Sequence, residues 1–323
     1  MNIDLPLRFR RLRRTAALRN LVRENQLSVT DLILPLFIEE GIDKAVELDT
    51  MPGVFRHPEA AVAGLVERAW SKGLSSVILF GVSHHKDEVG SDSWNADGLM
   101  ARMIRAAKSA VPDMVVISDN CFCEYTSHGH CGVVADQDVD NDRTLLNLQK
   151  QAVTAAQAGA NVIAPSGMMD GMIAALRQAL DEADFSHIPI MSYSTKFASA
   201  FYGPFREAVD SSFHGTRDTY QMDPANGREA LAESLQDELE GADILMVKPA
   251  TVYLDVVANI RAHSSRPLAV YHVSGEYAMI RMAAERGAID EKAVVLETMT
   301  AFKRAGADLI ITYYAEQLAD WLL

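Results

Sequence analysis

Eight short runs of apolar, β-favouring residues punctuate this chain, at 32–38, 76–82, 114–119, 161–165, 189–194, 243–247, 267–273 and 308–313. Each run is nearly continuous in apolar character, as strands buried on both faces are. Stretches with helical spacing separate them. Val62, Leu65, Val66 and Ala69 follow i, i+3, i+4, i+7, with Pro58 near the start and Gly73 just past the end. Asn141 and Asn226 are suited to capping two further helices. Three junctions read alike: A-G-A-N-V-I from Ala158, E-G-A-D-I-L from Glu240 and A-G-A-D-L-I from Ala305. In each, a glycine suited to a left-handed helix end precedes a strand. The spacing is irregular, so the unit is βα and not a solenoid repeat. Eight such units predict an α/β fold, a closed (β/α)8 TIM barrel. An open doubly wound sheet would carry a glycine-rich turn after its first strand, and Glu39, Glu40 and Gly41 are no such turn.

Composition sets the remaining bounds. With 323 residues, 49% of them hydrophobic, the chain can bury one large core. No shift in composition marks a linker, so one catalytic domain is expected, a barrel over 31–323 preceded by an N-terminal arm, 1–30. Thirty basic against 44 acidic residues leave a net charge of −14, which argues against a nucleic-acid binder. No apolar run approaches the roughly 18–20 residues that span a bilayer, and residues 1–23 lack the apolar region of a secretory signal. Seven arginines, from Arg8 to Arg23, face one acid, Asp4. Such a segment suits a transit peptide or, as read here, an arm lying on an acidic neighbour, and a second copy of this chain offers that surface. Three cysteines within eleven residues make a poor disulfide framework and point to a reducing compartment, the cytoplasm.

In a (β/α)8 barrel the reactive groups gather where strands end. Here Asp119 ends the third run, Ser166 follows the fourth, Lys196 the fifth, Lys248 the sixth and Ser274 the seventh, while Tyr313 closes the eighth. The two lysines, of nine in the chain, sit in M-S-Y-S-T-K-F and I-L-M-V-K-P. Either alone reads as a lysine reaching from a strand end to solvent or to a carboxylate. Two on neighbouring strands disfavour each other's charge, so one should be neutral and nucleophilic near pH 7, able to form a Schiff base with a ketone.

The segment D-N-C-F-C-E-Y-T-S-H-G-H-C-G, from Asp119 to Gly132, offers Cys121, Cys123 and Cys131 in one loop. Three thiolates suit Zn²⁺. Without a fourth ligand the site is open and catalytic; with His128 or His130 it closes. Buried reduced cysteines are the plainer alternative. Further on, F-Y-G-P-F-R-E, with Tyr202, Phe205 and Arg206, leads into a polar stretch ending at Arg217 and Gln221. So long a loop reads as a lid, and its arginines as a clamp for a carboxylate or as surface charge.

Five of these motifs carry a family resemblance. D-N-C-F-C-E-Y-T-S-H-G-H-C-G, M-S-Y-S-T-K-F, F-Y-G-P-F-R, M-V-K-P-A and Y-H-V-S-G-E-Y occur in this order, and the chain resembles the porphobilinogen synthases (5-aminolevulinate dehydratases) of the zinc-dependent, three-cysteine kind. Relatives without the zinc site carry other residues at the three cysteine positions. Asn120 stands where an apolar residue is more usual. The resemblance implies a condensation of two 5-aminolevulinate molecules into porphobilinogen, with loss of two waters, in tetrapyrrole (heme) synthesis. It implies that Lys248 holds the propionate-side substrate and Lys196 the acetate-side one. Arg206, Arg217 and Gln221 would grip the acetate-side carboxylate, and Ser274 and Tyr313 the other, with Asp119 near the transferred protons. Tyr202, Phe205 and Ser166 would touch substrate. Cys121, Cys123 and Cys131 would hold zinc, and Glu233, in A-L-A-E-S, an allosteric Mg²⁺. A homo-octamer whose arm embraces a partner is implied as well.

Two other readings compete with that one. A class I aldolase-like lyase also uses a barrel lysine, but it usually cradles phosphate on glycine-rich loops, and V-S-G-E and Y-Y-A-E hold a single glycine. A zinc-stabilised barrel that only binds a ligand would leave its lysines ordinary.

Overall fold

The computed structural model describes residues 7–209 and 216–322. The start of the arm (1–6) and the middle of the expected lid (210–215) lie outside them. Eight parallel strands form a nearly closed barrel: β1 (Leu32–Glu39), β2 (Ser76–Val82), β3 (Val115–Asn120), β4 (Val162–Pro165), β5 (Met191–Lys196), β6 (Ile244–Lys248), β7 (Leu268–His272) and β8 (Leu309–Thr312). Hydrogen-bonded neighbours run β4-β3-β2-β1-β8-β7-β6-β5. A bridge between Ile163 and Ile190 closes the ring, with Ile163 N–H donating to Pro189 O at 3.1 Å. The eight runs read from the sequence are these strands.

Burial explains why the runs are continuous. Every residue of β1 is buried, as is every residue of β2, β4, β5 and β7, because barrel interior and helix layer cover opposite faces. The helix Val62–Ser71 buries Val62, Leu65, Val66 and Ala69, the apolar set its spacing predicts. Gly159, Gly241 and Gly306 end their helices at φ of 104°, 108° and 114°, a conformation that costs a residue with a Cβ and suits glycine. The caps are a correction. The helix Asn141–Ala158 is capped by the carboxylate of Asp140, which accepts from Arg143 N–H, and Asn141 is already its first helical residue. Asn226 holds the cap position of Gly227–Glu240 without a side-chain cap bond, its amide turned to Glu229.

Ahead of the barrel, the arm forms a short 3₁₀ turn, Phe9–Arg13, and a helix, Ala16–Leu21, with no residue buried. Leu7, Phe9, Leu12, Leu21 and Val22 are exposed there. Among the described residues no helix is long and apolar enough to cross a membrane.

Candidate active site

Lys196 and Lys248 end adjacent strands and are register partners across the β5–β6 ladder. A β-bulge makes them so. Between the pairs Leu245–Ser192 and Val247–Thr195, β6 advances two residues and β5 three. Along β5, Ser192 contacts Asp237 on the helix outside the barrel, while Tyr193 turns inward to Asp119. Ser194 and Thr195 then both reach the helix residue Ser234. Strict alternation would have sent Thr195 inward and Lys196 out to the helices; two consecutive outward side chains return Lys196 to the interior.

Both amines are buried. Lys196 Nζ donates to Ser166 O at 2.6 Å. Lys248 Nζ lies among aromatic rings, 4.2 Å from the centroid of Tyr271, 5.0 Å from Tyr193, 5.1 Å from Phe205 and 5.5 Å from Tyr202. Burial, followed by the charge of Lys196, brings its pKa down to about 7. Such an amine is substantially neutral at physiological pH. Ring faces around it favour a cation, so they can also hold an iminium.

Asp119 is the acid of this pocket. Tyr193 donates to its Oδ1 at 2.7 Å and Ser166 to its Oδ2 at 3.1 Å. Burial raises its pKa against the pull of Lys248 and these hydrogen bonds. Residues Lys196, Lys248, Asp119, Ser166, Tyr202, Phe205, Arg206, Arg217 and Gln221 line one cavity of about 230 Å³, and Cys123 and Glu124 share its wall. That volume suits small molecules, and its cationic and amide donors suit a carboxylate.

The cysteines form a second centre beside the first. Their sulfurs lie within 4.8 Å of one another, all three buried, with Cys121 and Cys123 Sγ 3.3 Å apart. Hydrogen bonds from Cys121 and Cys123 hold the Cys131 thiolate well below its ordinary range despite burial, and Arg217 adds to the effect. Burial opposes the charge of Arg217, but the nearby Cys131 thiolate raises its pKa and keeps it protonated. Three converging soft donors fit a metal ion. Neither histidine joins them: His128 Nε2 is hydrogen-bonded to Glu88 O, and His130 Nδ1 to Tyr220 OH at 3.2 Å.

Ser274 and Tyr313 stand behind the cavity wall. Ser274 Oγ accepts from Phe205 N–H at 3.1 Å and donates to Phe201 O at 3.2 Å, tying down the segment that roofs the pocket. Gly275 is required there, since a Cβ would come within 2.6 Å of Phe201 O. Tyr313 OH meets Tyr271 OH at 3.2 Å, one ring away from Lys248. Glu233 does not line that cavity; it stands on the outer helix Gly227–Glu240, in a cleft with Asp170, Glu229 and Asp223. Burial raises its pKa, and Asp170 and Glu229 raise it further.

Sequence reasoning passed over Tyr193, Tyr271 and Glu124. Tyr193 and Tyr271 stand within quoted motifs, but an apolar run buried on both faces does not say which of its side chains face the barrel interior. Glu124 adjoins Cys123 and is buried, and burial followed by Asp119 pushes its pKa up to about 7.

Comparison with known proteins agrees with this geometry. The family model for delta-aminolevulinic acid dehydratase matches residues 6–321. The delta-aminolevulinic acid dehydratase of Escherichia coli (strain K12) is 59% identical over 317 residues, covering 98% of both chains. That of Synechocystis sp. is 52% identical over 321 residues, again covering 98% of both. Among solved structures, the delta-aminolevulinic acid dehydratase (porphobilinogen synthase) of Toxoplasma gondii ME49, in complex with the reaction product porphobilinogen, superposes with a TM-score of 0.96. Its identity is 46%, over 98% of this chain and 92% of that one.

Proposed function

This chain belongs to the delta-aminolevulinic acid dehydratase family, and we propose that it condenses two molecules of 5-aminolevulinate into porphobilinogen, releasing two waters, through Schiff bases on Lys248 and Lys196. One observation carries the mechanism: two buried lysines paired in register, one with its pKa brought to about 7, open on the same cavity as an acid and a cysteine cluster. The ligand-binding barrel predicts ordinary lysines and has no use for such a pair. The aldolase-like reading gives way to the family match.

The residues divide the work. Neutral Lys248 attacks the ketone of the propionate-side substrate; a carbinolamine forms, water leaves, and the iminium sits among Tyr271, Tyr193, Phe205 and Tyr202. Lys196 engages the acetate-side ketone in the same way. Arg206, Arg217 and Gln221 take the acetate-side carboxylate, and Ser274 and Tyr313 the propionate-side one once the roof over them shifts. Asp119, whose pKa burial raises, gives a proton to the departing hydroxyl and, as carboxylate, removes one from the carbon that becomes aromatic. The roof over the pocket excludes water that would hydrolyse an imine.

Cys121, Cys123 and Cys131 would hold the zinc, which when bound supplies Lewis acidity for a substrate amine or carbonyl. We place a magnesium ion, as a regulator, at Glu233. The exposed apolar and basic arm supports a homo-oligomer, an octamer, with the arm lying on a partner copy. The three free cysteines support a cytoplasmic location. The experiment is direct: incubate the purified protein with 5-aminolevulinate and Zn²⁺ and measure porphobilinogen by its colour reaction. Formation of the pyrrole supports the reading, and none in metal-replete protein overturns it.

A further inference from the structure

The bulge in β5 has to be held, because it breaks the ladder beside Lys196. Met246, opposite the extra residue, would normally exchange backbone bonds with β5. In the shifted ladder it has no register partner; its N–H donates to Ser194 Oγ, and Ser194 Oγ donates to its carbonyl oxygen, each at 3.4 Å. A side chain thus bridges the backbone at the bulge. That side chain is tied in turn to the helix Gly227–Glu240. Ser194 Oγ is 3.1 Å from Ser234 Oγ, Thr195 Oγ1 is 2.8 Å from Ser234 Oγ, and Thr195 Oγ1 donates to Ala230 O at 3.2 Å. Thr195 gives its proton to Ala230 O and Ser194 gives its own to Met246 O, so in both hydroxyl–hydroxyl contacts Ser234 is the donor that remains. Ser192, Ser194, Thr195 and Ser234 are all fully or almost fully buried, so no solvent substitutes for these bonds.

We propose that Ser234 is a positioning residue for Lys196: from outside the barrel, its hydroxyl pins the two consecutive outward side chains that turn the lysine into the pocket. It touches no substrate. Without it, Ser194 and Thr195 lose their shared partner, the bulge can relax toward regular alternation, and Lys196 swings toward the helix layer. Lys248 has no such dependence, since its strand carries no extra residue. The proposal rests on the Schiff-base reading only for its effect on turnover.

The test compares Ser234→Ala with the parent and with Ser192→Ala, which cuts the same seam before the bulge. Borohydride trapping with 5-aminolevulinate, followed by peptide mapping, reads each lysine separately. Ser234→Ala should lower the adduct at Lys196 about 10- to 100-fold relative to that at Lys248. Ser192→Ala should leave the ratio as in the parent. An unchanged ratio in Ser234→Ala, or equal loss at both lysines, overturns the proposal. Should the parent form no adduct at all, the Schiff-base reading fails, and acetylation of the free protein then decides Ser234 alone. An altered Lys196 rate in Ser234→Ala, with that of Lys248 unchanged, upholds it, and matching Lys196 rates in variant and parent overturn it.

Discussion

Lys196 and Lys248 face each other as the last residues of neighbouring parallel strands, and only an added residue in one of those strands permits it. Two ammonium groups so placed cannot both keep their protons cheaply. The geometry therefore determines which chemistry the pocket can begin.

The acid limb of the pH profile should report Lys248. Its pKa falls to about 7 in the folded chain, so the nucleophilic amine is present above that value and lost as pH drops through it. We expect kcat/KM to rise through a transition near pH 7 and then level. A profile flat from pH 5.5 to 8.5 contradicts the assignment.

Stability should carry the same signature with a definite sign. An unfolded lysine keeps an ordinary pKa, so the unfolded state binds more protons between about pH 7 and 10.5, and stability rises with pH across that window. The strain of burying the ammonium is greatest below pH 7. Lys248→Met should stabilise the chain by about 2 kcal/mol at pH 6 and by less at pH 9, read from thermal melts. A penalty that grows with pH would be wrong in sign.

Asp119→Asn keeps the shape of the group and an acceptor for Tyr193 while removing the transferable proton. Steady-state kinetics should show kcat down about 10²- to 10⁴-fold with KM little changed. A loss confined to KM would make Asp119 a binding group.

Cys123→Ala should abolish turnover and metal binding while costing no more than about 2 kcal/mol of stability, because the barrel core does not depend on the cysteine loop. Circular dichroism and metal analysis check both halves. An unfolded variant would make the metal structural.

Glu233→Gln should shift or flatten any Mg²⁺ activation curve, since it removes one carboxylate from a half-buried acidic cleft. An identical curve refutes a magnesium role there.

The strands were legible because burial on both faces writes itself as unbroken apolar runs, and the helix ends because Gly159, Gly241 and Gly306 suit a left-handed backbone. Site residues at strand ends followed from the barrel's geometry. The extent of β5 did not: its expected end at residue 194 falls short of Lys196 because the bulge carries polar Ser194 and Thr195 onto the helix side, where hydrogen bonds replace apolar contact. Tyr193 lies inside the expected run, but continuous burial does not say which residues of a strand face the pocket. Asp140 displaced Asn141 as a cap by one residue, a margin that composition alone leaves open between two good capping side chains.

Trapping with borohydride and labelled 5-aminolevulinate tests the central claim most directly. The account predicts a reduced covalent adduct whose tryptic peptide contains Lys248, absent from Lys248→Met. Porphobilinogen formed at the parental rate by Lys248→Met, or a trapped protein with no label on that peptide, would contradict it.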